Sequence, residues 1–346
     1  MGDAIQKTAI SSLQEVRNLI KELPGPDLES LKKFTLHDAQ LTKPMGSLGK
    51  LETLVEWLAS WQAQYPPRLN HPRTSVFAGN HGVAKYGVSA FPSSVTSEMV
   101  KNFVEGGAAV NQLCKTFDAD LRVYELGLEQ PTSDFTTEPA MTEEDCVRAM
   151  AYGMMAIEPG LDVICIGEMG IGNTTSAAAV SMGLFGGKAE EWVGRGTGIT
   201  PKTLEKKIKL VQAAVDFHLP QTEDPLSIFA ALGGLELAAI IGTIIAARLA
   251  RVPVILDGFA CTASAAVLFA LDPTTIDHCV VAHRSVEPGH TKLLELMCKD
   301  PLFDLGLRLG EGSGATLALG ILKAAVNCHT GMATFSSAGI SGPESG

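Results

Sequence analysis

The sequence lacks any Cys-x-x-Cys pair, and its seven cysteines are scattered along the chain. Disulfide-stapled domains and structural zinc sites need cysteines paired at short spacing. The sequence therefore predicts buried, reduced thiols. His81, His283 and His290 with Glu287 also match no regular zinc spacing, which favours loop hydrogen bonding or substrate contact over a metal site. We expect no metal.

Positive charge is also scarce, with 27 Lys and Arg residues against 38 Asp and Glu residues and a formal net charge of -11. A chain this acidic repels a phosphate backbone and gains little from counterion release. Nucleic acid is therefore excluded as the expected partner. A phosphorylated small molecule would have to be held in a pocket by local backbone dipoles and a few placed cations.

Signals for a membrane or for export are few. The run that most resembles a membrane span, residues 226–247, contains Glu236, the pair Gly233-Gly234 and many small residues, which favour a buried helix. The first twenty residues combine acidic side chains with helical spacing, where an export signal would have a basic start and a continuous apolar run. We expect a soluble, cytoplasmic protein with no membrane partner.

What the sequence does contain is a large apolar fraction, 46% of 346 residues, which is enough for one large core or a core plus a subdomain. Helical spacing covers residues 5–65 and returns from 301 to 328. Between them, short β-branched runs are each followed by a glycine-rich loop and an Ala/Leu-rich helical pattern, which is typical of β-α units around a parallel sheet. The expected strands are 75–78, 121–125, 162–166, 252–256 and 279–282.

These patterns predict an α/β fold in which a parallel sheet has helices on both faces. A smaller helical layer is expected from both ends of the chain. We expect residues 1–70 to form the N-terminal part of that small domain and residues 71–300 to form the α/β catalytic domain. Residues 301–346 are expected to complete the small domain and to end in a flexible tail.

Polar loops follow four of the expected strands, at residues 79–82, 167–175, 257–258 and 283–290. In an open parallel sheet, ligands bind beyond the carboxyl ends of the strands, at a point where the strand order reverses. We therefore expect these four loops to converge on one crevice.

The loop after the third strand has the features of an anion site. Gly170 and Gly172 allow the backbone to approach a ligand, and residues 173–176 can cap the following helix while its first N–H groups remain free for an anion. A capped turn without a ligand is an equally good interpretation. The loop matches neither the GxxxxGK[ST] phosphate loop nor the GxGxxG fingerprint, which argues against nucleoside triphosphates and NAD.

A second flexible loop contains Gly196, Thr197 and Gly198. Arg195 in that loop, or the nearby Lys207, could neutralise a phosphate. The alternative for each of these cations is a solvated surface charge.

Glu311 lies between glycines in the segment from Arg308 to Thr316. Without shielding side chains beside it, this carboxylate can approach a substrate, and apolar neighbours could raise its pKa toward the range of a general base. A plain surface turn is the alternative. Asp257, at the end of the fourth strand, could either anchor a ligand hydroxyl or cap the helix that begins near Cys261.

Several of these loops belong to longer motifs that occur in one order along residues 40–328. The motifs are QLTKPMGSLGKLE, FAGNHGVAKYGVSAFPSSVT, NFVEGGAAVNQL, GEMGIGNTTSAAA, VGRGTGI, LGGLELAAIIG, PVILDGF, AHRSVEPGH and DLGLRLGEGSGAT. Together they resemble the nicotinate-nucleotide:dimethylbenzimidazole phosphoribosyltransferase family. The resemblance implies that nicotinate mononucleotide and 5,6-dimethylbenzimidazole react to give α-ribazole 5′-phosphate and nicotinate. It also implies a Rossmann-like α/β domain with a smaller helical domain, a homodimer, and chemistry without a cofactor.

The resemblance also assigns roles to residues. It makes Glu311 the catalytic base and places Glu168 in the same site. Two positions depart from the family pattern, Asn80 and Ser93, and both are expected to face the base. The residues expected to bind substrates are Asn80, His81, Ser93, Gly170, Gly172, Asn173, Thr174, Thr175, Gly196, Thr197, Gly198, Lys207, Asp257, Ser285, Arg308, Gly312 and Ser313.

Two other functions stay open at the level of sequence. One is a catalytically silent relative that binds a nucleotide or base, although the presence of both Glu168 and Glu311 argues against it. The other is a phosphoribosyltransferase with a different base acceptor.

Overall fold

The computed structural model describes residues 10–342. The expected N-terminal segment and tail extend beyond this range, at residues 1–9 and 343–346, which lie outside the described residues. The strands are β1 (Pro72–Gly79), β2 (Asp120–Leu126), β3 (Val163–Met169), β4 (Val254–Leu256) and β5 (Cys279–Val281). The α-helices are α1 (Leu13–Ile20), α2 (Leu28–Asp38), α3 (Lys50–Gln62), α4 (Ser94–Glu105), α5 (Ala109–Thr116), α6 (Glu143–Met154), α7 (Asn173–Phe185), α8 (Ala189–Trp192), α9 (Pro201–His218), α10 (Pro225–Leu232), α11 (Leu235–Leu249), α12 (Phe259–Leu271), α13 (Pro288–Leu296), α14 (Ser313–Gly331) and α15 (Phe335–Ala338).

The five strands form one parallel sheet in the order β2-β1-β3-β4-β5. The predicted α/β fold is therefore confirmed, and each expected strand is present. β3 continues past its expected end to Met169. β4 begins at Val254 instead of residue 252, because Pro253 has no N–H to donate to a neighbouring strand.

The strand order places a switch point between β1 and β3. From β1 the chain moves outward to β2, and from β3 it moves in the other direction to β4 and β5. The two connections leave on opposite sides and open a crevice at the carboxyl ends of β1 and β3. This crevice is where the predicted polar loops meet.

Alternating side chains of β3 serve two hydrophobic cores. Ile164 and Ile166 lie in the larger core with helices α6, α7, α11 and α12. Val163 and Cys165 point to the opposite face, against α3 and α14. Helices therefore cover both faces of the sheet, which explains why the strands read as nearly continuous apolar runs.

Both ends of the chain contribute to the layer on the second face, formed by α2, α3 and α14 and called here the terminal layer. Leu41 pairs with Thr334 in an isolated bridge, and the Tyr65 hydroxyl lies 3.0 Å from Nε2 of His329. The division into segments 1–70, 71–300 and 301–346 stays a prediction.

Helix α1 differs from the expected arrangement, because it packs on the other side of the molecule. Its Leu13 and Val16 belong to the larger core. Arg17 forms an ion pair of 2.6 Å with Asp224, and the backbone N–H of Leu13 donates to Glu143 at 2.9 Å. These contacts tie α1 to the first turns of α6 and α10, away from the terminal layer.

The apolar stretch at residues 226–247 forms parts of α10 and α11 and is almost completely buried. Within residues 10–342, no helix combines the length and the apolar character needed to cross a membrane. Helices α10 and α11 lie inside the protein.

The cysteines are free thiols throughout, and most are buried, as the sequence predicts. The buried ones are Cys114, Cys146, Cys165, Cys261 and Cys279. Cys298 is exposed and Cys328 is half-buried.

Candidate active site

The loops at the carboxyl ends of β1 and β3 enclose a cavity of about 110 Å³. The predicted site residues that line it are Glu168, Gly170, Gly172, Asn173, Thr174, Gly196, Thr197, Ser285 and Arg308. Apolar side chains that suit a flat ring lie among them: Val88, Met169, Ile171, Phe259 and Leu309. A larger open groove of about 970 Å³ runs beside the end of β2 and is lined by none of the predicted site residues.

Glu311 follows Leu309 and Gly310, which line the cavity, but its own side chain is buried beside the lining and is not part of it. It occupies the centre of a left-handed stretch of backbone. The φ angles of Gly310, Glu311 and Gly312 are 80°, 64° and 75°. A left-handed non-glycine residue costs roughly 1–2 kcal/mol, and such strain concentrates at functional sites. Burial, strengthened by the negative charge of Asp257, raises the pKa of Glu311 to about 7. A carboxylate with that pKa can accept a proton near neutral pH.

Glu168 is adjacent to Glu311 at the end of β3. The backbone N–H of Glu311 donates to the carbonyl oxygen of Glu168 at 3.1 Å. Burial, followed by the charge of Asp257, raises the pKa of Glu168 to about 8, although the side-chain amide of Asn173 donates to its carboxylate and opposes this shift. Glycine is favoured at position 310, because φ is 80° and a Cβ there would also lie 2.6 Å from Oε1 of Glu168.

Asp257 has a role that sequence reasoning missed. Its carboxylate accepts hydrogen bonds from the backbone N–H groups of Gly312, at 3.1 Å, and Ala315, at 2.9 Å. It therefore caps α14, directly after Glu311, and not a helix near Cys261. Nε2 of His283 lies 3.6 Å from the same carboxylate. Asp257 is completely buried below the cavity, and the expectation that it anchors a ligand hydroxyl gains no support from this position.

The loop before α7, residues 170–172, is called here the α7 loop. Gly172 is the N-cap of α7 with φ of 102°, and no side chain caps the helix. The expectation that residues 173–176 cap this helix is therefore wrong: Asn173 donates to Glu168, and the Ser176 hydroxyl donates to the carbonyl of Leu232. In the described part of the chain, the N–H of Thr174 has no acceptor. An unpaired N–H at a helix N-terminus is suited to an anion.

Thr175 is fully buried behind the cavity, and its hydroxyl has no partner among residues 10–342. Ser313, the first residue of α14, donates its hydroxyl to the carbonyl of Gly310 at 2.7 Å. This bond holds the turn around Glu311. Ser313 therefore contacts protein, although the sequence predicts a substrate contact.

Lys207 is buried, which excludes the solvated surface charge considered from sequence. Its Nζ donates to the hydroxyl of Thr174 at 2.8 Å and to the carbonyl of Gly194 at 3.2 Å. Burial lowers the pKa of Lys207 to about 8, although the charge of Glu287 opposes this shift. Its positive end therefore lies beside the first turn of α7. Arg195, by contrast, is exposed.

The loop of residues 194–198, called here the covering loop, is fastened on both sides of the cavity. The Thr197 hydroxyl accepts from the backbone N–H of Ala90 at 2.9 Å and lies 3.0 Å from the Ser89 hydroxyl. On the other side, the N–H of Gly196 donates to Glu287 at 2.8 Å. Glu287 and Ser89 line the cavity. Glu287 belongs to the loop 283–290 that the sequence predicts at the crevice, whereas Ser89 is not among the residues predicted to bind substrates.

Two further predicted contacts of the covering loop are weak or indirect. Arg308 is exposed, and its Nη1 lies 3.4 Å from the carbonyl of Gly196. Gly198 has φ of 98° and turns the chain toward α9, outside the cavity lining.

The positions expected to face the base lie elsewhere. Asn80 is buried, donates its amide to the carbonyl of Leu128 at 2.9 Å and accepts from the Thr96 hydroxyl at 2.7 Å. Ser93 is the N-cap of α4 and does not line the cavity. His81 is buried against Glu236, 2.6 Å from its carboxylate. From the same stretch of chain, Val88 and Ser89 are the residues that reach the cavity.

No group of His, Cys, Asp and Glu side chains that could hold a metal ion occurs within the described residues.

A doubly wound parallel sheet with a helix N-terminus at its switch point is typical of proteins that bind phosphorylated ligands there. Here a buried glutamate, Glu311, and a half-buried one, Glu168, lie at the same point. The phosphoribosyltransferase family model matches residues 23–340, and the chain belongs to this family. The family predicted from the sequence motifs is therefore confirmed.

Curated relatives resemble the chain over nearly its whole length. The nicotinate-nucleotide–dimethylbenzimidazole phosphoribosyltransferase of Brucella anthropi is 55% identical over 328 residues, covering 95% of this chain and 97% of the relative. That of Rhizobium meliloti is 53% identical over 330 residues, covering 95% and 97%. The crystal structure of CobT from Thermus thermophilus superposes with a TM-score of 0.85 at 40% identity, covering 91% of this chain and 100% of that one.

Proposed function

We propose that the chain transfers the phosphoribosyl group of nicotinate mononucleotide to 5,6-dimethylbenzimidazole, giving α-ribazole 5′-phosphate and nicotinate. The observation that carries the proposal is the pairing of Glu311 with Glu168 at the switch point, where both carboxyl groups have raised pKa values. Family membership and the relatives' printed activity support the choice of substrates.

The reaction exchanges one C1′–N bond for another. A benzimidazole nitrogen attacks C1′ with its lone pair, while the electron pair of the breaking bond passes to the pyridine nitrogen. Nicotinate leaves as a neutral ring, and no acid has to protonate it. The attacking heterocycle gains positive charge and must lose the proton on its other nitrogen, which requires a base within hydrogen-bond reach.

Glu311 is the group that accepts this proton. Its pKa of about 7 allows a substantial ionised fraction at neutral pH, and its carboxylate also stabilises the charge that develops on the heterocycle. Glu168, with a pKa of about 8, remains largely protonated at the same pH. In that state it can donate a hydrogen bond to a substrate.

The phosphate of the nucleotide binds at the α7 loop in this proposal. The N–H of Thr174 supplies a donor at a helix N-terminus, and the buried ammonium of Lys207 supplies positive charge beside it. The covering loop would then close over the ribose phosphate.

Incubating the purified protein with both substrates and identifying the products by mass tests the proposal. We expect α-ribazole 5′-phosphate and nicotinate in equal amounts. Saturable binding of both substrates without any product would instead support the catalytically silent relative. A panel of other bases tests the alternative acceptor.

We also propose that the chain acts in the cytoplasm as a homodimer. The proposal follows the family resemblance, and exposed apolar side chains such as Met45 and Val104 offer surface for association. Light scattering at micromolar protein concentration is expected to report twice the chain mass of 36.5 kDa. A single chain mass would contradict it.

A further inference from the structure

A buried, hydrogen-bonded pair of side chains, His81 and Glu236, lies directly beneath the α7 loop. Nε2 of His81 and Oε1 of Glu236 are 2.6 Å apart, and neither side chain is exposed to solvent. His81 follows β1, while Glu236 lies in the first turn of α11, 155 residues further along the chain. Glu236 is the charged residue of the motif LGGLELAAIIG, for which the reaction described above has no use.

Glycines from separate segments enclose this pair. A Cβ at Gly79 would lie 2.7 Å from Oε2 of Glu236, and one at Gly170 would lie 3.0 Å from Oε1 of the same residue. A Cβ at Gly172 would lie 3.2 Å from Cβ of His81. The pair therefore packs against the end of β1 and both ends of the α7 loop.

A second tether holds the same loop from β1. The backbone N–H of Ile171 donates to the Thr96 hydroxyl at 3.3 Å, and that hydroxyl donates to Asn80 at 2.7 Å. The α7 loop thus rests on two consecutive residues of one turn, Asn80 and His81.

The pair has features that stability alone does not explain. Nδ1 of His81 and Oε2 of Glu236 are buried and have no hydrogen-bond partner in the described part of the chain. Well-packed apolar residues generally stabilise an interior at least as well as a buried ion pair with unsatisfied atoms. Glu236 also contributes, after burial and Asp257, to the raised pKa of Glu168. The pair is therefore connected both to the loop and to one of the two site glutamates.

We propose that His81 and Glu236 are positioning residues for the transfer reaction, which fix the α7 loop against the end of β1 and thereby set the place of the bound nucleotide. The inference rests on the proposed function and adds two residues to it. Neither side chain lines the cavity, so both act through the loop. Misplacement of a binding group by about 1 Å is enough to weaken a productive complex substantially.

Variants of His81 separate positioning from packing. His81→Ala removes the bond to Glu236, and we expect the KM for nicotinate mononucleotide to rise by about tenfold or more, as for other residues that orient binding groups. The KM for the base should stay nearly constant. In His81→Gln, the amide can still donate to Glu236, and most of the nucleotide affinity should return.

The binding readout is the rise in Tm that nicotinate mononucleotide produces, which needs no turnover. We expect a smaller rise in His81→Ala than in the unaltered chain. Should His81→Ala fail to fold, the double variant with Glu236→Gln, which leaves no buried charge unpaired, is measured in its place with the same expectation.

Glu52→Gln is the control, because half-buried Glu52 forms an ion pair of 2.9 Å with buried Lys43 in the region of the terminal layer. It should lower Tm without changing the nucleotide KM. The inference would be overturned if folded His81 and Glu236 variants kept both the nucleotide KM and the nucleotide-induced rise in Tm. It would also be overturned if nucleotide affinity fell in proportion to the loss of Tm in all variants, including Glu52→Gln. Absence of turnover by the unaltered chain would contradict the proposed function, while the Tm readout would still decide on the pair.

Discussion

Asp257 illustrates how a single buried carboxylate affects both site glutamates. It caps α14 through Gly312 and Ala315, and its charge contributes to the raised pKa values of Glu168 and Glu311. Since a base must be ionised to act, the rate should rise with pH through the pKa of Glu311. This rise forms the acid limb of the pH profile of kcat/KM, and the pH at which it occurs therefore depends on Asp257.

In Asp257→Asn the negative charge is lost, and we expect the acid limb of the kcat/KM profile to move to lower pH. The asparagine can accept fewer N–H bonds, and the weakened cap should cost about 1 kcal/mol of stability. Profiles from pH 5 to 9 measure the shift. Asp304→Asn removes an exposed carboxylate and serves as the control. If the acid limb of kcat/KM stays at the same pH in Asp257→Asn, Asp257 contributes to stability and not to the pKa of Glu311.

Glu168 is expected to destabilise the fold at alkaline pH. Its pKa rises from an ordinary 4.5 to about 8 on folding. The folded state therefore holds the proton more tightly, and this stabilising contribution is complete below about pH 4.5 and lost as the pH rises through about 8. Glu168→Gln should raise Tm at pH 8.5 and change it little at pH 4.5. Equal effects at both pH values would contradict the shifted pKa.

Some residue roles could be predicted from sequence, and others could not. Glu311 stands out because its flanking glycines are its neighbours in the chain. The bond of Asp257 to Gly312 spans 55 residues, and that of His81 to Glu236 spans 155. Local patterns contain no information on contacts of that range. The glutamic acid inside the apolar stretch 226–247 was the one available sign of Glu236.

Among the elements, the turn before α7 provides the clearest test of the phosphate hypothesis. Gly172 has φ of 102°, and its missing side chain leaves room for His81. Gly172→Val should therefore raise the KM for nicotinate mononucleotide much more than the KM for the base. Gly186→Val is a matched control, since Gly186 ends the same helix with φ of 71° and open space around its Cβ position. Equal nucleotide KM values in both folded variants would remove the α7 loop from the site.

We expect the covering loop to move when substrates enter. Its cavity of about 110 Å³ is far smaller than the roughly 300–1,000 Å³ of usual ligand pockets. Thr197→Ala removes the acceptor for Ala90 and one partner of Ser89. We expect the nucleotide to dissociate about threefold to tenfold faster, the effect of one hydrogen bond. Stopped-flow displacement measures this rate, with Thr203→Ala, a half-buried threonine in the first turn of α9, as control. An unchanged rate would show that the hydrogen bonds of Thr197 do not limit release of the nucleotide.

Element types were predicted more reliably than element contacts. The five strands could be predicted because β-branched runs and the glycine-rich loops after them are patterns among neighbouring residues in the sequence. The N-terminal caps of α7 and α14 were not predicted. The N-cap of α7 is Gly172, which has no side chain, and α14 is capped by the carboxylate of Asp257, which lies far away in the sequence directly after β4. The same limit applies to α1, whose helical spacing does not indicate which core it joins.

For the whole molecule, the central chemical step is the transfer of a benzimidazole proton to Glu311 during phosphoribosyl transfer. Glu311→Gln keeps the size of the side chain and removes the base. The most direct measurement is the kcat of this variant with nicotinate mononucleotide and 5,6-dimethylbenzimidazole, together with its nucleotide affinity. We predict a fall in kcat of about 10²–10⁴ with nucleotide affinity little changed. Near-full kcat from pH 6 to 9 in the folded variant would contradict the claim, and loss of activity in Glu168→Gln alone would assign the base to Glu168.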